Sequence, residues 1–441
     1  FETKRTEKKM KKAASYALGC KVNQYESEAI AELFAQKGYE IVGIDDVADV
    51  YVINTCTVTN FGDKKSRQLI RKVKRQNENA VVAVVGCYAQ TAPKEIMEVE
   101  GVNLVIGTKD RAQIVDKVEG YSLQAGVENH VTDIMKERLF EPLSIQKLTN
   151  RTRAYLKIQD GCSQYCSYCI IPYARGPIRS REPEDVLAEV NRLAANGFQE
   201  VVLAGIHVAS YGKDREETSL LDILKQVHEV EGIKRIRFSS IEPNVVSEEF
   251  VATIAQLPKV CPHFHLSLQS GCDKTLKEMN RKYDTKKYRE AAALLRKHLP
   301  TVALTTDIIV GFPGETEQDF NECYEFLKEI AFAKVHVFPY SPKKGTPAAE
   351  RKDQIESSIK SERSQKLLVL NEEMAGAFLQ KYVGETVEVL YEKVLEDGSY
   401  EGHTANYMKV HAKSLENITN TIVSTKITHI KGEIAFGEAN L

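Results

Sequence analysis

Two series of short apolar segments, each followed by an amphipathic stretch, restrict this chain more than any other feature. In residues 13–120 the segments ASYALG, VADVYVIN, AVVAVVG and VNLVIG alternate with helix-like stretches such as QYESEAIAELFAQKG and APKEIMEVE. A second series starts at Arg153 with RAYLKIQ, EVVLAGI, KRIRFSS, HFHLSLQ, ALTTDIIV and KVHVFPY, separated by stretches such as PEDVLAEVNRLAANG and EQDFNECYEFLKEI. β-Branched runs alternating with helical periods predict parallel strands covered by helices on both faces. The expected fold class is therefore α/β, with an N-terminal parallel sheet domain over 10–120 and a central partial (β/α)6 barrel over 151–380. An open doubly wound sheet is the alternative for the second series. In either architecture active-site residues sit at the carboxyl ends of the strands.

Residues 121–150 lose this rhythm and read as a linker of mixed short structure. A long polar helix is expected over about 352–380. From Glu385 the short segments TVEVLYEKV, SYEGHT, YMKVHA, NTIVSTKITHI and EIAFGEA predict a small antiparallel β-barrel over 381–441. That last region holds six Lys and nine Asp/Glu, so it is no generic basic grip. RNA binding there would rest on shape, loops or aromatic residues such as Tyr407.

The formal net charge is −2, which gives no sign of nucleic acid, yet the stretch 63–76 (DKKSRQLIRKVKRQ) carries seven Lys/Arg against one Asp. It reads either as a solvated helix face or as a phosphate-binding patch. No run of about 18 apolar residues occurs, so no membrane span is expected. The charged opening FETKRTEKKMKK has no secretory h-region, and residues 1–9 are set aside from the fold reading. Nine cysteines, an odd number, without a visible signal predict a reducing cytoplasm rather than a disulfide framework. Clustered cysteines in that setting bind metal or react.

Three cysteines fall within residues 160–176 (DGCSQYCSYCIIPYARG): Cys162, Cys166 and Cys169, spaced C-x3-C-x2-C just past a strand. A fourth thiol nearby would suggest a closed site. Three cysteines on a four-iron cubane leave one iron open to a small molecule. A zinc loop borrowing a distant ligand and a set of inert core cysteines are the alternatives. Cys20, Cys56 and Cys87 are far apart in sequence, but each follows a predicted strand of the first sheet (SYALGC, VINTC, VVGC). Strand ends of a parallel sheet share one edge, so these thiols are expected to converge on a second three-cysteine centre. Three separate buried cysteines are the alternative. Cys261, Cys272 and Cys323 lack such placement, and Cys323 reads as core.

The C-x3-C-x2-C loop opening a partial barrel resembles the radical S-adenosylmethionine (radical SAM) enzymes. The resemblance implies that Cys162, Cys166 and Cys169 hold a 4Fe-4S cluster whose open iron binds S-adenosylmethionine and cleaves it to a 5′-deoxyadenosyl radical. It places Tyr168 beside the adenine, although simple loop packing also accounts for that residue. Gly205 in LAGI, Gln269 in LSLQSG and Gly311 in IIVGFPGETE are then cofactor-contact candidates at successive strand ends. With GCKVNQYESE, INTCTVT, GCYAQ and DGCSQYCSYCIIPYARGPIRSR, the chain is similar to the methylthiotransferases from about Ala13 onward. The resemblance implies an auxiliary 4Fe-4S cluster on Cys20, Cys56 and Cys87, and a C-terminal TRAM module, an OB-like barrel used for RNA.

GCKVNQYE and GIHVASYG look like the branch acting on N6-threonylcarbamoyladenosine next to the anticodon of tRNA. Sister branches act on isopentenyladenosine in tRNA or on an aspartate of a ribosomal protein. Implied partners are that tRNA, an electron donor such as flavodoxin or ferredoxin, and a sulfur source, with the enzyme itself a monomer. Candidate phosphate contacts are Lys64, Lys65, Arg67, Arg71 and Lys72, with Arg175, Arg179 and Arg181 after the cysteine loop and the run 280–289; each also reads as an ordinary surface charge. Asp160 either orients substrate or caps its turn.

Overall fold

In the computed structural model, which describes residues 10–145 and 152–440, every apolar segment of the first series forms a strand. β1 (Lys12–Ala17), β2 (Glu40–Ile41), β3 (Val50–Thr55), β4 (Val81–Gly86), β5 (Leu104–Val105) and β6 (Glu128–Asn129) make one sheet in the order β2-β1-β3-β4-β5-β6. All pairings are parallel. β3 is buried at every position, as a central strand covered on both faces must be. Helix Asn60–Gln76 packs Ile70 and Val73 with Tyr51, Ile53 and Val84 on one face. Helix Lys21–Gln36 packs Ile30 and Phe34 with Val52 and Val85 on the other.

The stretch read as a linker contributes β6, and its later residues are tied to the same sheet domain. Tyr25 Oη donates to the Leu143 carbonyl at 2.8 Å, and Glu141 accepts from Arg111 Nη2 at 2.6 Å. The two residues of β6, Glu128 and Asn129, are polar and not buried, so unlike the equally short β5 within VNLVIG they leave no apolar run in the sequence. Residues 146–150 of that stretch lie outside the described residues.

The second series forms β7 (Arg153–Asp160), β8 (Arg179–Ser180), β9 (Glu200–Gly205), β10 (Arg235–Phe238), β11 (His263–His265), β12 (Ala303–Val310) and β13 (Lys334–Pro339). They stand as β10-β9-β7-β8 and β11-β12-β13, joined by parallel bridges Ile236↔Val260 and Ile241↔Leu266. Six of them, all but the short β8, are the expected strands of the partial barrel. After helix Ser357–Gln380 comes a closed barrel of β14 (Thr386–Val394), β15 (Tyr400–Thr404), β16 (Lys409–Lys413), β17 (Ile422–Lys431) and β18 (Ile434–Asn440), in the order β14-β15-β16-β18-β17. Its pairings are antiparallel except β16–β18, which is parallel. Among the described residues no helix is long and apolar enough to cross a membrane.

Contacts divide the described chain into two units. The first holds residues 10–145 with Asp160–Ser163 and Cys169–Arg179; the second holds residues 152–159, 164–168 and 180–440. Within the second unit the small barrel docks on the amino ends of the parallel strands through buried cations. Arg235 donates to the His403 and Glu388 carbonyls at 2.9 and 3.0 Å, and Arg237 to the Ala405 carbonyl at 2.9 Å. Tyr407 stacks between His263 and His403, each ring centroid 4.7 Å away, with the Arg237 guanidinium 4.7 Å from its face. Tyr407 is thus a docking residue, which corrects its reading as an RNA-stacking aromatic. The acidity of the region has a matching use: Glu392 pairs with Arg153 at 3.0 Å and with His403 at 2.6 Å.

Arg237 also forms a buried pair with Glu200 at 2.8 Å. Removing one member of such a pair leaves a charge without its partner, at a cost of about 3–5 kcal/mol. Arg237→Leu is therefore expected to lower the urea midpoint of the second unit and to speed proteolytic release of the small barrel. An unchanged midpoint and cleavage pattern would show that the docking does not depend on this cation.

Candidate metal centres

The first centre is assembled by strand register. β1, β3 and β4 are neighbours, with Ala17 opposite Asn54 and Thr55 opposite Gly86. Adjacent strands lie about 4.8 Å apart, so Cys20, Cys56 and Cys87, each just past a strand end, are delivered to one edge. Gly19 lets the first turn close. Its φ is +94°, and a Cβ there would stand 2.6 Å from Cys56 Cβ and 2.7 Å from Cys56 Sγ. Asn23, one turn into the helix that Cys20 caps, clamps the edge. Its Nδ2 donates to the Leu18 and Thr55 carbonyls at 2.8 and 3.1 Å, and its Oδ1 accepts from Cys20 Sγ at 3.7 Å.

A buried cation completes this edge. Arg175 Nε donates to Cys87 Sγ at 3.1 Å, Nη2 to Asn23 Oδ1 at 2.6 Å, and Nη1 and Nη2 to the Glu26 carboxylate at 2.5 and 3.0 Å. Glu26 also pairs with Arg111 at 2.5 Å, which pairs with Glu141 at 2.6 Å. Asp160 lies 3.4 Å from Arg175 and 3.6 Å from Arg179. Three carboxylates and three guanidiniums thus balance inside the first unit. Burial works to neutralise Arg175, but Cys87, Glu26 and Asp160 outweigh it and hold the group charged.

Burial, reinforced by the Cys87 and Cys20 thiols, pushes Cys56 up to about 12. Burial also pushes Cys20 up, with Arg175 opposing. Metal binding at these thiols therefore releases protons. Three soft sulfur donors beside a fixed cation suit an anionic iron–sulfur cluster with three cysteine ligands. A further donor group, His265, Asp307 and His336 on β11, β12 and β13, offers only nitrogen and oxygen and does not suit one.

The second centre is the loop after β7. Its outer legs cross tightly: the Cys162 amide donates to the Gly176 carbonyl at 3.0 Å, and a Cβ on Gly161 (φ +74°) would stand 1.8 Å from the Pro177 carbonyl oxygen. Thr108 Oγ1 donates to the Ala174 carbonyl at 2.7 Å, holding the returning leg to the first unit. The middle of the loop belongs to the second unit. Ser167 donates through its amide to the Met279 carbonyl at 3.0 Å and through its hydroxyl to the Glu278 carbonyl at 2.8 Å. Buried Cys166 accepts from Arg281 Nη1 at 3.1 Å, and Arg281 is held by Glu242 and by the Tyr283 hydroxyl, each at 2.8 Å. Half-buried Tyr168 packs on Met279, Phe312, Tyr340 and Ala348.

Several sequence expectations change here. Arg175, Arg179 and Arg181 are buried and are not phosphate contacts: the first two belong to the network around Glu26 and Asp160, and Arg181 pairs with Glu189 at 2.6 Å. In the run 280–289, Arg281 is committed to Cys166 and Arg289 pairs with Glu329. Lys64, Lys65 and Arg71 are exposed on helix Asn60–Gln76, whereas half-buried Arg67 donates to Tyr88 Oη and Lys72 pairs with Asp45. The space beside Gly205 is filled by Gln159, and that beside Gly311 by the Lys360 stem, so both glycines admit the protein's own side chains. Gln269 has φ +73°, a left-handed conformation unusual outside glycine, at a bridge to Ile308. Cys261, Cys272 and Cys323 are buried. Cys272 Sγ donates to Asp319 at 3.6 Å, while Cys323 Sγ accepts the Gly271 amide at 3.1 Å.

Asn23, Glu26, Arg111 and Arg281 escape sequence reasoning. A signal exists for two of them: Asn23 and Glu26 stand three and six residues after Cys20, on the helix face that carries its buried residues. Gly19→Val should expel the side chains that now fill that corner. Reconstituted protein is expected to fall from about eight to about four irons per chain while keeping its far-ultraviolet circular dichroism. Full iron in the variant would mean the strand-end thiols hold none.

The chain matches the model of the radical SAM superfamily over residues 156–327 and that of the uncharacterized protein family UPF0004 over residues 12–107. It is 45% identical over 423 residues to the threonylcarbamoyladenosine tRNA methylthiotransferase MtaB of Bacillus subtilis (strain 168), covering 95% of this chain and 94% of that one. It is 38% identical to the Aquifex aeolicus protein of the same name, over 92% of this chain and 98% of that one. It is 34% identical to the tRNA-2-methylthio-N(6)-dimethylallyladenosine synthase of Thermoanaerobacter pseudethanolicus, over 95% and 91%. Among solved structures, the radical S-adenosylmethionine methyltransferase TsrM of Kitasatospora setae superposes with a TM-score of 0.57 at 15% identity, over 77% of each chain, which speaks for the fold alone. The cofactors are a 4Fe-4S cluster with S-adenosylmethionine, as in the radical SAM superfamily, and the additional cluster that methylthiotransferases carry. With both domain matches in place and these relatives aligned along nearly its whole length, the chain belongs to the radical SAM methylthiotransferase family.

Proposed function

We propose that the protein converts N6-threonylcarbamoyladenosine, next to the anticodon of tRNA, to its 2-methylthio derivative. The observation that carries this choice of base is the 45% identity to a relative named for it, against 34% to one named for dimethylallyladenosine. Carbon-2 of adenine bears an unactivated C–H bond, and general acid–base catalysis, worth about 10²–10⁴-fold, does not reach it. Two 4Fe-4S clusters and two S-adenosylmethionine molecules supply the electron, radical, methyl and sulfur chemistry the bond requires.

The chain's own residues hold and place these groups. Cys162, Cys166 and Cys169 are assigned to the radical-generating cluster, and Cys20, Cys56 and Cys87 to the auxiliary one. Arg281 and Arg175 each supply a charge-assisted hydrogen bond to one of those sulfurs. Gln269 and Tyr168, at the carboxyl ends of the barrel strands and in the loop, are assigned to the S-adenosylmethionine side. An anticodon-loop base can be splayed out for such a site. Phosphate contacts are assigned to Lys64, Lys65 and Arg71; Lys65 stands over the ring of Phe61, which is 64% exposed. The small C-terminal barrel is read as the TRAM module, a flavodoxin- or ferredoxin-class donor as reductant, and the cytoplasm as the site of action.

Reconstituted enzyme offered threonylcarbamoylated and dimethylallylated tRNA together is expected to methylthiolate the first, as read by nucleoside mass spectrometry. Product on the dimethylallylated tRNA instead would assign the enzyme to the sister branch. In the same assay Cys56→Ala should still form 5′-deoxyadenosine yet yield no methylthio product; product from that variant would refute the auxiliary assignment. Reversing Lys64, Lys65 and Arg71 to Glu should weaken tRNA binding and flatten its salt dependence by about 2–3 in log–log slope. An unaltered slope would remove this helix from the interface.

A further inference from the structure

In each unit one buried arginine donates to one sulfur of a three-cysteine set, Arg175 to Cys87 and Arg281 to Cys166, both at 3.1 Å. Their surroundings differ. Arg281 meets one carboxylate, Glu242, and a phenol. Arg175 is gripped by both oxygens of Glu26 and lies 3.4 Å from Asp160, with Glu26 shared in turn with Arg111. Hydrogen bonds to cluster sulfurs and nearby net charge are the protein's main means of setting an iron–sulfur potential. A cation donating to a ligand sulfur favours the reduced, more negative cluster and raises its potential. A carboxylate beside that cation opposes the effect.

We infer that Arg175 is a positioning residue that fixes the Cys87 sulfur and raises the reduction potential of the auxiliary cluster, with Glu26 setting how much of its charge the cluster feels. This rests on the assignment of Cys20, Cys56 and Cys87 to one cluster. The same side chain lies in the segment that begins at Cys169, and its grip on Glu26 and Asn23 holds that segment to the strand-end thiols within the first unit. One residue thereby sets both the placement of the sulfur and its electrostatics.

The test uses the full chain carrying Cys162→Ala, Cys166→Ala and Cys169→Ala, reconstituted anaerobically with iron and sulfide, so that only the auxiliary cluster is titrated by electron paramagnetic resonance at controlled potentials. In this background Arg175→Gln should shift the potential to more negative values, and Arg175→Lys should restore part of the shift. Glu26→Gln should move it the opposite way, to more positive values. A packing role alone gives no such opposed pair, so an unmoved potential, or shifts of one sign in both variants, overturns the inference. Should Arg175→Gln bind no iron, Arg175→Lys and Glu26→Gln carry the same comparison. A parent protein that binds no iron overturns the cluster assignment itself.

Discussion

The first unit depends on a guanidinium buried among carboxylates and sulfur. Arg175 touches Cys87, Asn23 and Glu26 and lies close to Asp160, so it joins a strand end, a helix and both legs of the cysteine loop. A charge in that position is tolerable only because its partners meet it with good geometry and the local sum of charge is close to zero. The network makes the sheet edge a fixed platform. Thiols that must bind one inorganic centre cannot wander, and here Asn23 ties the backbone just ahead of Cys20 to that just ahead of Cys56.

Much of the architecture was legible because strand and helix periods are long-range regularities of composition. β12 and β14 coincide with the segments ALTTDIIV and TVEVLYEKV, and the remaining long strands differ only at their ends. Of the two-residue strands, β5 was legible through the apolar run VNLVIG around it, whereas β2, β6 and β8 each contain a charged residue and were invisible. The cysteines were legible for different reasons: Cys162, Cys166 and Cys169 by their close spacing in one loop, and Cys20, Cys56 and Cys87 because a thiol directly after a strand is a positional signal that a parallel sheet converts into proximity.

The supporting charges were not legible. Arg175, Arg179 and Arg181 look like solvent-facing cations in ARGPIRSR, and nothing local says that Glu26, about 150 residues earlier, waits for the first of them. Ion pairs are decided by tertiary placement, so a basic run predicts phosphate contact only where its residues stay exposed, as Lys64, Lys65 and Arg71 do. Tyr407 shows the same limit from the aromatic side. Its ring is stacked between two histidines that lie far apart in sequence. The acidity of the last domain has a partly internal explanation, since Glu392 answers Arg153 across the docking surface.

The account stands on Cys20, Cys56 and Cys87 serving a single inorganic centre. Crystals of the anaerobically reconstituted enzyme, measured at the iron absorption edge, test this most directly. The expected result is anomalous density bonded to the sulfurs of all three, apart from the density on the 162–169 loop. Iron confined to that loop, with the three strand-end thiols bare, would contradict it.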